Sequence, residues 1–404
     1  MDIFVGVIVG LLVLMFLVTA HEFGHFIMAR RNGVRVLEFG ICFPPRAIAW
    51  VKDPKTKKWR RLPRKDWKKP QEGLVFSLNW LPIGGFCQMD GESAADTRAG
   101  TFGKASFWSK TKILFGGVAM NWLVAFVIFT ILAWTGMPEF LDGQFNIPSD
   151  TRTDFTPVEI TSVAEDSPAE RAGLMVGDYV LAVDGTEMQY VSEIIDYNEA
   201  HADEEVTYKI ERAEEGSEPT QYEYTVKLNP AESNYLLGVA MTSEQALSYS
   251  TWSAPIVGAG LTAQLTGETF KGVGIMLGNL VSGIARQFSP NAEVREDGKE
   301  AISEVGNSVS GPIGIIGILF PTFTAAGPAN LAFLTALISV SLACMNVIPI
   351  PALDGGRWLL IAIYKIRKKK LTKEIEERIV SRAFMVLLAM IFIVTILDII
   401  RIAS

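Results

Sequence analysis

Uncharged apolar runs alternate with polar segments along this chain, and the runs predict its architecture. Four of them indicate membrane-spanning helices, over residues 3–29, 113–134, 331–353 and 383–397. A helix needs about 20 apolar residues to cross a bilayer, so the first run is long enough to cross with a tilt. Asp2 precedes it where a cleaved signal peptide would carry a basic residue. The run Gly311–Phe320 is too short to span, and we interpret it as a re-entrant segment or as part of a packed helix.

The same pattern divides the chain into segments. They are residues 1–35 with the first span, 36–112 with a basic loop and a β-hairpin, 113–136 with the second span, 155–232 with a compact α+β domain, 251–288 with an amphipathic surface helix, 310–364 with the re-entrant segment and the third span, and 378–402 with the fourth span. Residues 291–304 indicate a polar linker. The predicted fold class is a polytopic α-helical membrane protein with four transmembrane helices and an inserted α+β domain.

Local signals support the inserted domain. Val158–Val163 and Tyr179–Val183 have the composition of strands. Between them, Ser167 followed by proline predicts the start of a short helix, and Gly173 predicts its end. A second helix is expected from Ser192, as N-cap, to residue 200.

Charge is strongly segregated in a chain that is 49% hydrophobic and 20% charged. Residues 30–69 carry 14 Lys and Arg against three acids, residues 365–370 are also basic, and residues 139–244 are acidic. The positive-inside rule places both basic clusters in the cytosol and the acidic domain outside the cell, with both termini outside. We therefore expect a multi-pass protein of the inner (plasma) membrane, in contact with the lipid bilayer, and no nucleic-acid partner.

Candidate chemistry lies at the end of the first span, where His21-Glu22-Phe23-Gly24-His25 forms an HExxH motif. Residues four apart share a helix face, so both imidazoles can bind one zinc ion, and Glu22 can reach a metal-bound water as general base. A chance match is the alternative. Ionisable groups in a membrane helix are costly, however, and are functional by default. The sequence therefore predicts Zn2+ as cofactor.

A catalytic zinc site needs a third protein ligand and leaves one position for water. Asp354 is the first candidate, because it interrupts the apolar stretch Leu331–Tyr364 directly after Pro349 and Pro351 break the helix. An aspartate that only caps a helix is the alternative, and Cys344 is a second candidate ligand. The predicted topology places Asp354 and HExxH at the same side of the membrane.

These motifs resemble those of the bacterial branch of the site-2 protease family, the regulator-of-sigma-E-protease type. The similarity comprises HExxH at 21–25, NxxPxPxLDG at 346–355, Ser310-Gly311-Pro312-Ile313-Gly314, and a PDZ signature from Ser167 through Gly177-Asp178 to Asp184-Gly185. It covers nearly the whole chain in family order. The resemblance implies that His21, His25 and Asp354 are zinc ligands, that Glu22 is the catalytic acid/base, and that Asn346 contacts substrate.

The family also has a membrane-associated β-hairpin, which residues 73–92 would form here. A free strand edge near its Gly84-Gly85 break could pair with an unwound substrate, so we predict that Gly84, Gly85 and Pro349 bind substrate together with Asn346. A β-rich fragment without substrate contact is the alternative. The chain departs from the family pattern AGPxxNxxxA in the second span: Asn121 is kept, but Val118 replaces the proline. One PDZ signature is visible, whereas some relatives carry two.

The predicted function is that of an intramembrane zinc metalloendopeptidase in regulated intramembrane proteolysis. Its partners would be transmembrane helices of single-span membrane proteins, such as anti-sigma factors already trimmed by another protease, or remnant signal peptides. The PDZ domain would either recruit substrate C-termini or act as a gate, which the resemblance favours. The alternative function is a non-proteolytic PDZ scaffold with a structural zinc. The intact Glu22 argues against it, since a structural site needs no general base.

Overall fold

The computed structural model describes residues 2–93, 96–141, 143–154, 157–188, 190–213, 219–233, 235–242, 247–308 and 311–403. The predicted turn at 214–217 and Ser310 lie outside the described residues. The chain forms two compact units. The helical unit comprises residues 1–135, 145–147 and 252–404, and the sheet unit comprises residues 136–144 and 148–251. Within the described residues, four helices are long and apolar enough to cross a membrane, in agreement with the four predicted spans.

The N-terminal part of the helical unit combines two long helices with a sheet. Its elements are α1 (Asp2–Arg31), β1 (Val36–Lys52), β2 (Trp59–Arg61), β3 (Val75–Met89) and α2 (Phe107–Thr135), with the strands in the order β2-β1-β3. β1 lies between the two halves of β3, so that Phe39 is opposite both Cys87 and Phe76. The prediction of a hairpin formed by residues 73–92 alone is therefore wrong. Both halves of β3 pair with the first half of β1 because that strand offers hydrogen-bonding groups along both of its edges.

The sheet unit contains two sheets and two helices. Its elements are β4 (Met137–Pro138), β5 (Arg152–Asp154), β6 (Val158–Val163), α3 (Pro168–Ala172), β7 (Tyr179–Val183), β8 (Thr186–Glu187), α4 (Val191–Ala200), β9 (Glu205–Arg212), β10 (Thr220–Lys227), β11 (Val239–Thr242) and β12 (Leu247–Tyr249). The larger sheet has the order β10-β9-β7-β6-β11 with β8 beside β7, and the smaller sheet has the order β4-β12-β5. The domain is thus α+β, as predicted.

In the sheet unit, the N-cap predicted from the sequence is present in one helix and absent in the other. The Ser167 hydroxyl accepts the Glu170 N–H at 3.1 Å, and Gly173 ends α3 with φ +95°, which confirms the predicted caps. Ser192 is not the N-cap of α4. The helix begins one residue earlier, after Tyr190, because Glu193 accepts the Tyr190 N–H at 3.2 Å and so fixes the first turn.

A buried ion pair ties the end of α3 to the larger sheet. Arg212 donates to both carboxylate oxygens of the fully buried Asp178, at 2.6 and 2.7 Å, and to the Gly173 carbonyl at 3.1 Å. The hydrogen bonds to Asp178 raise the pKa of the Arg212 guanidinium, which therefore stays charged. The Gly177-Asp178 part of the PDZ signature thus has a structural role in this chain.

The rest of the helical unit is α-helical apart from one π-helical stretch. Its elements are α5 (Ala254–Gln287), α6 (Ala292–Ser308), α7 (Pro312–Gly314), the π-helical turn Ile315–Leu319, α8 (Phe320–Ala325), α9 (Pro328–Val347), α10 (Asp354–Ile366) and α11 (Lys373–Ala403). The predicted linker at 291–304 is wrong, since α6 is helical. Asn291 accepts the Glu293 N–H at 3.0 Å, and Gly298 lets α6 approach the α5 backbone at Gly283.

The predicted surface helix is only partly exposed. One face of the first turns of α5 is buried against α2, where a Cβ on Gly258 would collide with Thr130. The helix also approaches α9, where the Thr266 carbonyl lies 4.0 Å from the Cys344 sulfur. The region from Gly267 to the helix end is mostly exposed. The small residues at the start of α5 permit this close helix packing.

Candidate metal centre

The first span brings its two histidines together on one buried face. Continuous helix from Asp2 to Arg31 places His21 and His25 one turn apart, and their Nε2 atoms lie 3.1 Å from each other. A carboxylate oxygen of Glu22 lies within 4.8 Å of both imidazoles. The HExxH motif therefore has the predicted helical geometry, in which two imidazoles point to one place and the carboxylate lies beside it.

Asp354 reaches the same place from the other end of the sequence. α9 ends at Val347, and the chain continues without helical structure to Asp354, the first residue of α10. One Asp354 carboxylate oxygen lies 3.1 Å from His21 Nε2 and 3.2 Å from His25 Nε2. Gly355 and Gly356 make the sharp return possible, because a Cβ on either would collide with backbone carbonyls of Val347 or Ile350.

The three atoms have the spacing that a tetrahedral zinc site requires. Zinc bonds to imidazole nitrogen and carboxylate oxygen are about 2.0–2.2 Å long, so neighbouring ligands in a tetrahedron lie roughly 3.3 Å apart. The observed separations of 3.1 to 3.2 Å fit this value. Two nitrogens and one carboxylate oxygen also match the donor set of a catalytic site, which keeps a fourth position open. The residues present therefore fit a zinc ion.

A backbone carbonyl of α2 determines the tautomer of His25. His25 Nδ1 lies 2.8 Å from the Ile113 carbonyl oxygen, and a carbonyl can only accept, so Nδ1 carries the hydrogen. When the ring is neutral, its lone pair is therefore on Nε2, the atom nearest to His21 and Asp354. Outer partners of this kind commonly orient metal-binding imidazoles. The sequence gives no sign of this contact, because a residue of any type at position 113 has the same backbone carbonyl.

Asn121 holds the corresponding position beside His21. Its amide nitrogen lies 3.4 Å from His21 Nδ1, and its buried amide oxygen has no partner among the described residues. Rotation of the amide group by half a turn would exchange its nitrogen and its oxygen. The oxygen would then accept a hydrogen bond from the Nδ1–H of His21, which leaves Nε2 of that ring unprotonated. Asn121 is also held by α9, because the Ser339 hydroxyl donates to the Asn121 backbone carbonyl at 2.8 Å.

Glycines on both helices make room for these contacts. A Cβ on Gly117 would lie 2.6 Å from His21 Nε2, and a Cβ on Gly24 would collide with the Gly116 carbonyl. The two helix backbones therefore approach each other directly at the level of the metal site, as small residues allow in membrane helices. Sequence reasoning missed this role, although the Gly116-Gly117 pair inside an apolar span was its signal.

The second half of β3 lies beside Glu22. The Cys87 backbone lies beside the Glu22 carboxylate, and this half of β3 follows the bend at Gly84, where φ is +73°. The bend packs on α1, since a Cβ on Gly84 would lie 2.7 Å from Val18. Burial, with a smaller contribution from the Glu22 charge, raises the pKa of the Cys87 thiol, so Cys87 stays protonated and is a poor metal ligand.

The remaining predicted residues lie at different distances from this centre. Gly84 and Gly85 are buried at the bend beside Val18 and Thr19, about one turn before His21. Asn346 is half-buried near the end of α9 and donates to the Leu342 carbonyl at 2.9 Å, and Pro349 is exposed in the segment that follows. Cys344 faces α5 at Thr266 and is not part of the group around the imidazoles.

A cavity of about 810 Å3 opens next to Asp354. It is lined mainly by charged side chains, among them Glu92, Arg98, Arg357, Lys373 and Glu376. Arg357 lies 3.5 Å from Glu376 and so links the first turn of α10 to the start of α11. Water can therefore reach Asp354 through a polar space.

Comparisons with known proteins match the chain almost end to end. A protein of Clostridium perfringens with the provisional name of a zinc metalloprotease is 26% identical over 98% of this chain and 98% of its own length. The chloroplast protein of Arabidopsis thaliana named membrane metalloprotease ARASP is 25% identical over 95% of this chain and 76% of its own length. The metal in the first name agrees with the Zn2+ expected from the sequence.

A solved PDZ domain of an SdrC-like protein from Listeria monocytogenes matches 22% of this chain and 90% of that chain, with 23% identity and a TM-score of 0.18. The family model of peptidase family M50 matches residues 9–391. This confirms the family resemblance carried by the motifs: the chain is a membrane metalloprotease and belongs to peptidase family M50.

Proposed function

We propose that this chain is an intramembrane zinc metalloendopeptidase that hydrolyses peptide bonds in or near the transmembrane segments of single-span membrane proteins. The observation that carries the proposal is the triangle of His21, His25 and Asp354 atoms, 3.1 to 3.2 Å apart, at the junction of apolar helices. These three residues are the proposed zinc ligands. Glu22, which lies beside them without being part of the triangle, is the proposed catalytic acid/base.

The chemistry follows from that division of roles. A zinc ion bound there would polarise the substrate carbonyl and lower the pKa of a bound water. Glu22 would take a proton from that water and deliver it to the leaving amine. The backbone of Cys87 lies beside the Glu22 carboxylate, and the Ile113 carbonyl fixes the tautomer of His25 in which Nε2 would be free to hold the ion.

The substrate assignment rests on the surroundings of the triangle. The second half of β3 pairs with β1 along one edge and runs past Glu22, so its other edge supports the pairing of an extended substrate segment. We propose that Gly84 and Gly85 keep this edge free of side chains. Asn346 and Pro349 would contact the same substrate from the segment that leads to Asp354.

The proposed location is the inner membrane, with both termini outside and the metal site towards the cytosolic side, because Arg30 and Arg31 end the first span. The sheet unit would then be a PDZ-like domain outside the cell. We propose that it limits access to substrates already trimmed by another protease, which makes the enzyme a step in regulated intramembrane proteolysis.

Two substitutions test the proposed roles. Glu22→Gln removes the base and no ligand, so the purified protein should hold about one zinc per chain and fail to cleave. Asp354→Asn replaces an anionic ligand with a neutral one and should lose both zinc and cleavage. Metal analysis beside a cleavage assay on a panel of single-span membrane proteins provides the measurement.

Either of two results would overturn the assignment. Full zinc content in Asp354→Asn would remove Asp354 as a ligand and return attention to Cys344. Cleavage by Glu22→Gln at the parent rate would exclude Glu22 as the acid/base and leave a metal site without the proposed chemistry.

A further inference from the structure

We propose that residues 52–69, here called the basic arm, bind the anionic phospholipid headgroups of the membrane that the chain spans. The proposed protease chemistry does not use this surface.

The arm is a folded extension of the sheet. β2 pairs with the end of β1, with Val51 opposite Arg60, and the Asp53 side chain accepts the N–H groups of Lys55 and Thr56 at 2.8 and 2.9 Å in the turn between them. Leu62 is buried with Ala49, Val51 and Val75, and Trp67 packs against this cluster. The basic side chains are therefore displayed from a defined scaffold.

A buried ion pair joins the arm to the body of the sheet. Arg46 pairs with Glu38, which is 5% exposed and also accepts the Ser77 hydroxyl at 2.6 Å, and the same guanidinium donates to the Trp67 carbonyl. These contacts link the arm to both β1 and β3.

The strand register places the arm at the membrane depth where α1 ends. Glu38 and Val51 both lie opposite Val75, so the point where the arm begins is level with the start of β1, a few residues after Arg31. The opposite end of the sheet is much deeper. There Gly84 packs on Val18, 13 residues before Arg31, a distance of about 20 Å along α1.

The exposed side chains are apolar at one end of the sheet and basic at the other, as a membrane-bound sheet requires. At the deep end Phe43, Trp80 and Leu81 are exposed, and Trp80 is 69% exposed. At the other end nine of the ten Lys and Arg residues of the arm are exposed. Among the described residues, the arm makes one ion pair, Lys69 with Asp66 at 2.8 Å, so most of its cations have no acidic partner in that part of the chain.

A membrane accounts for the exposed side chains at both ends of the sheet. Hydrocarbon covers the exposed apolar end, and anionic headgroups lie roughly 20 Å higher, at the level of the cations. Clusters of four to eight Lys or Arg directly cytosolic to a span are typical of binding to anionic lipids. A nucleic acid or an acidic protein would match the cations alone and would leave the apolar end unexplained.

The arm is connected to the metal centre through the sheet. The sheet that carries the arm also carries Cys87, whose backbone lies beside the Glu22 carboxylate. Headgroup binding would therefore fix the depth of the second half of β3 relative to α1.

Fluorescence from a label on the arm tests this inference without any measurement of cleavage. Pro54→Cys places a reactive thiol at an exposed, uncharged position, and the native Cys42, Cys87 and Cys344 are buried. The labelled full chain is placed in nanodiscs of phosphatidylcholine, with or without phosphatidylglycerol. Quenching by neutral acrylamide should fall at least about twofold with the anionic lipid, and the protection should disappear in 1 M salt, where the Debye length is about 3 Å.

A charge variant and a matched control complete the experiment. K55Q/K57Q/K58Q/R60Q/R61Q should abolish the protection, whereas R367Q/K369Q/K370Q, which removes exposed cations after α10, should retain it. Should the first variant be misfolded, shown by greater quenching than the parent already in detergent, the salt titration of the parent decides. Equal quenching with and without phosphatidylglycerol would overturn the proposal. So would protection that appears in phosphatidylcholine only after an RNA oligonucleotide or poly-glutamate is added.

Discussion

Residues on one face of α2 define the environment of both imidazoles. Ile113, Gly117 and Asn121 follow each other at intervals of four and lie along His25 and His21. The first supplies a carbonyl acceptor, the second supplies space, and the third supplies an amide. Ring orientation and tautomer therefore depend on a helix that contributes no proposed metal ligand, which is a common arrangement for metal-binding histidines.

Asn121→Ala tests the outer contact to His21. Loss of the amide should weaken zinc binding by about 10- to 100-fold, the range typical of outer-shell substitutions, because the Nε2 lone pair is no longer favoured. Competition with a fluorescent zinc chelator gives the affinity directly. Asn330→Ala is the control, since that amide donates to the Ala326 carbonyl just before the start of α9. An unchanged affinity in Asn121→Ala would show that the tautomer of His21 is set elsewhere.

At the scale of elements, close backbone contact between α1 and α2 and the tight return before α10 assemble the centre. Gly24 and Gly116 allow the first, and Gly355 and Gly356 allow the second. Each helix is straightforward to predict from its apolar run, but their approach depends on residues that have no side chain. The metal centre is thus specified by packing as well as by ligands.

Gly117→Ala should disrupt the centre through sterics alone. Alanine favours helix more than glycine does, so α2 itself gains stability, yet the new methyl group would lie 2.6 Å from His21 Nε2. We expect zinc content to fall well below one per chain, as measured by metal analysis of the purified protein. Gly274→Ala on α5, where no atom lies within 4 Å, should keep full zinc. A normal zinc content in both variants would contradict the packing described here.

At the scale of the whole molecule, a helical unit holds the metal centre and a separate sheet unit is inserted between α2 and α5. The sheet unit has its own apolar core, which includes Ile160, Ile194 and Tyr208, and its own buried ion pair. Chemistry and the proposed control of access therefore reside in different units of one chain.

Reporter fusions test the proposed orientation of these units. Insertion after Lys58 should report the cytosol, and insertion after Glu215 should report the outside, because the basic and acidic regions follow different spans. An alkaline phosphatase and a fluorescent reporter at each position give independent readings. The same side at both positions would contradict the four-span orientation.

Removal of residues 157–242 tests the proposed gate. The helical unit contains every proposed ligand, so the shortened chain should keep about one zinc. If the sheet unit is a gate, untrimmed substrates should now be cut. Loss of cleavage for all substrates in a zinc-loaded chain would instead indicate that the unit recruits them.

Local chemistry explains what the sequence determined by itself. The spans follow from apolar composition, the pairing of His21 with His25 follows from the helical repeat, and the cap of α3 follows from Ser167. Each feature depends on residues a few positions apart. α6 shows the limit, because its sequence is largely polar and so resembles a linker, whereas its contact with α5 supports the helix.

Only the tertiary structure decided which distant groups meet. Sequence left both Asp354 and Cys344 open as companions of the histidines, and packing placed Asp354 beside them although 333 positions separate it from His21. The same holds for the Ile113 carbonyl and for β1 between the halves of β3. Such contacts depend on backbone groups that every residue carries and on the packing of whole helices, so no local pattern of side chains can encode them.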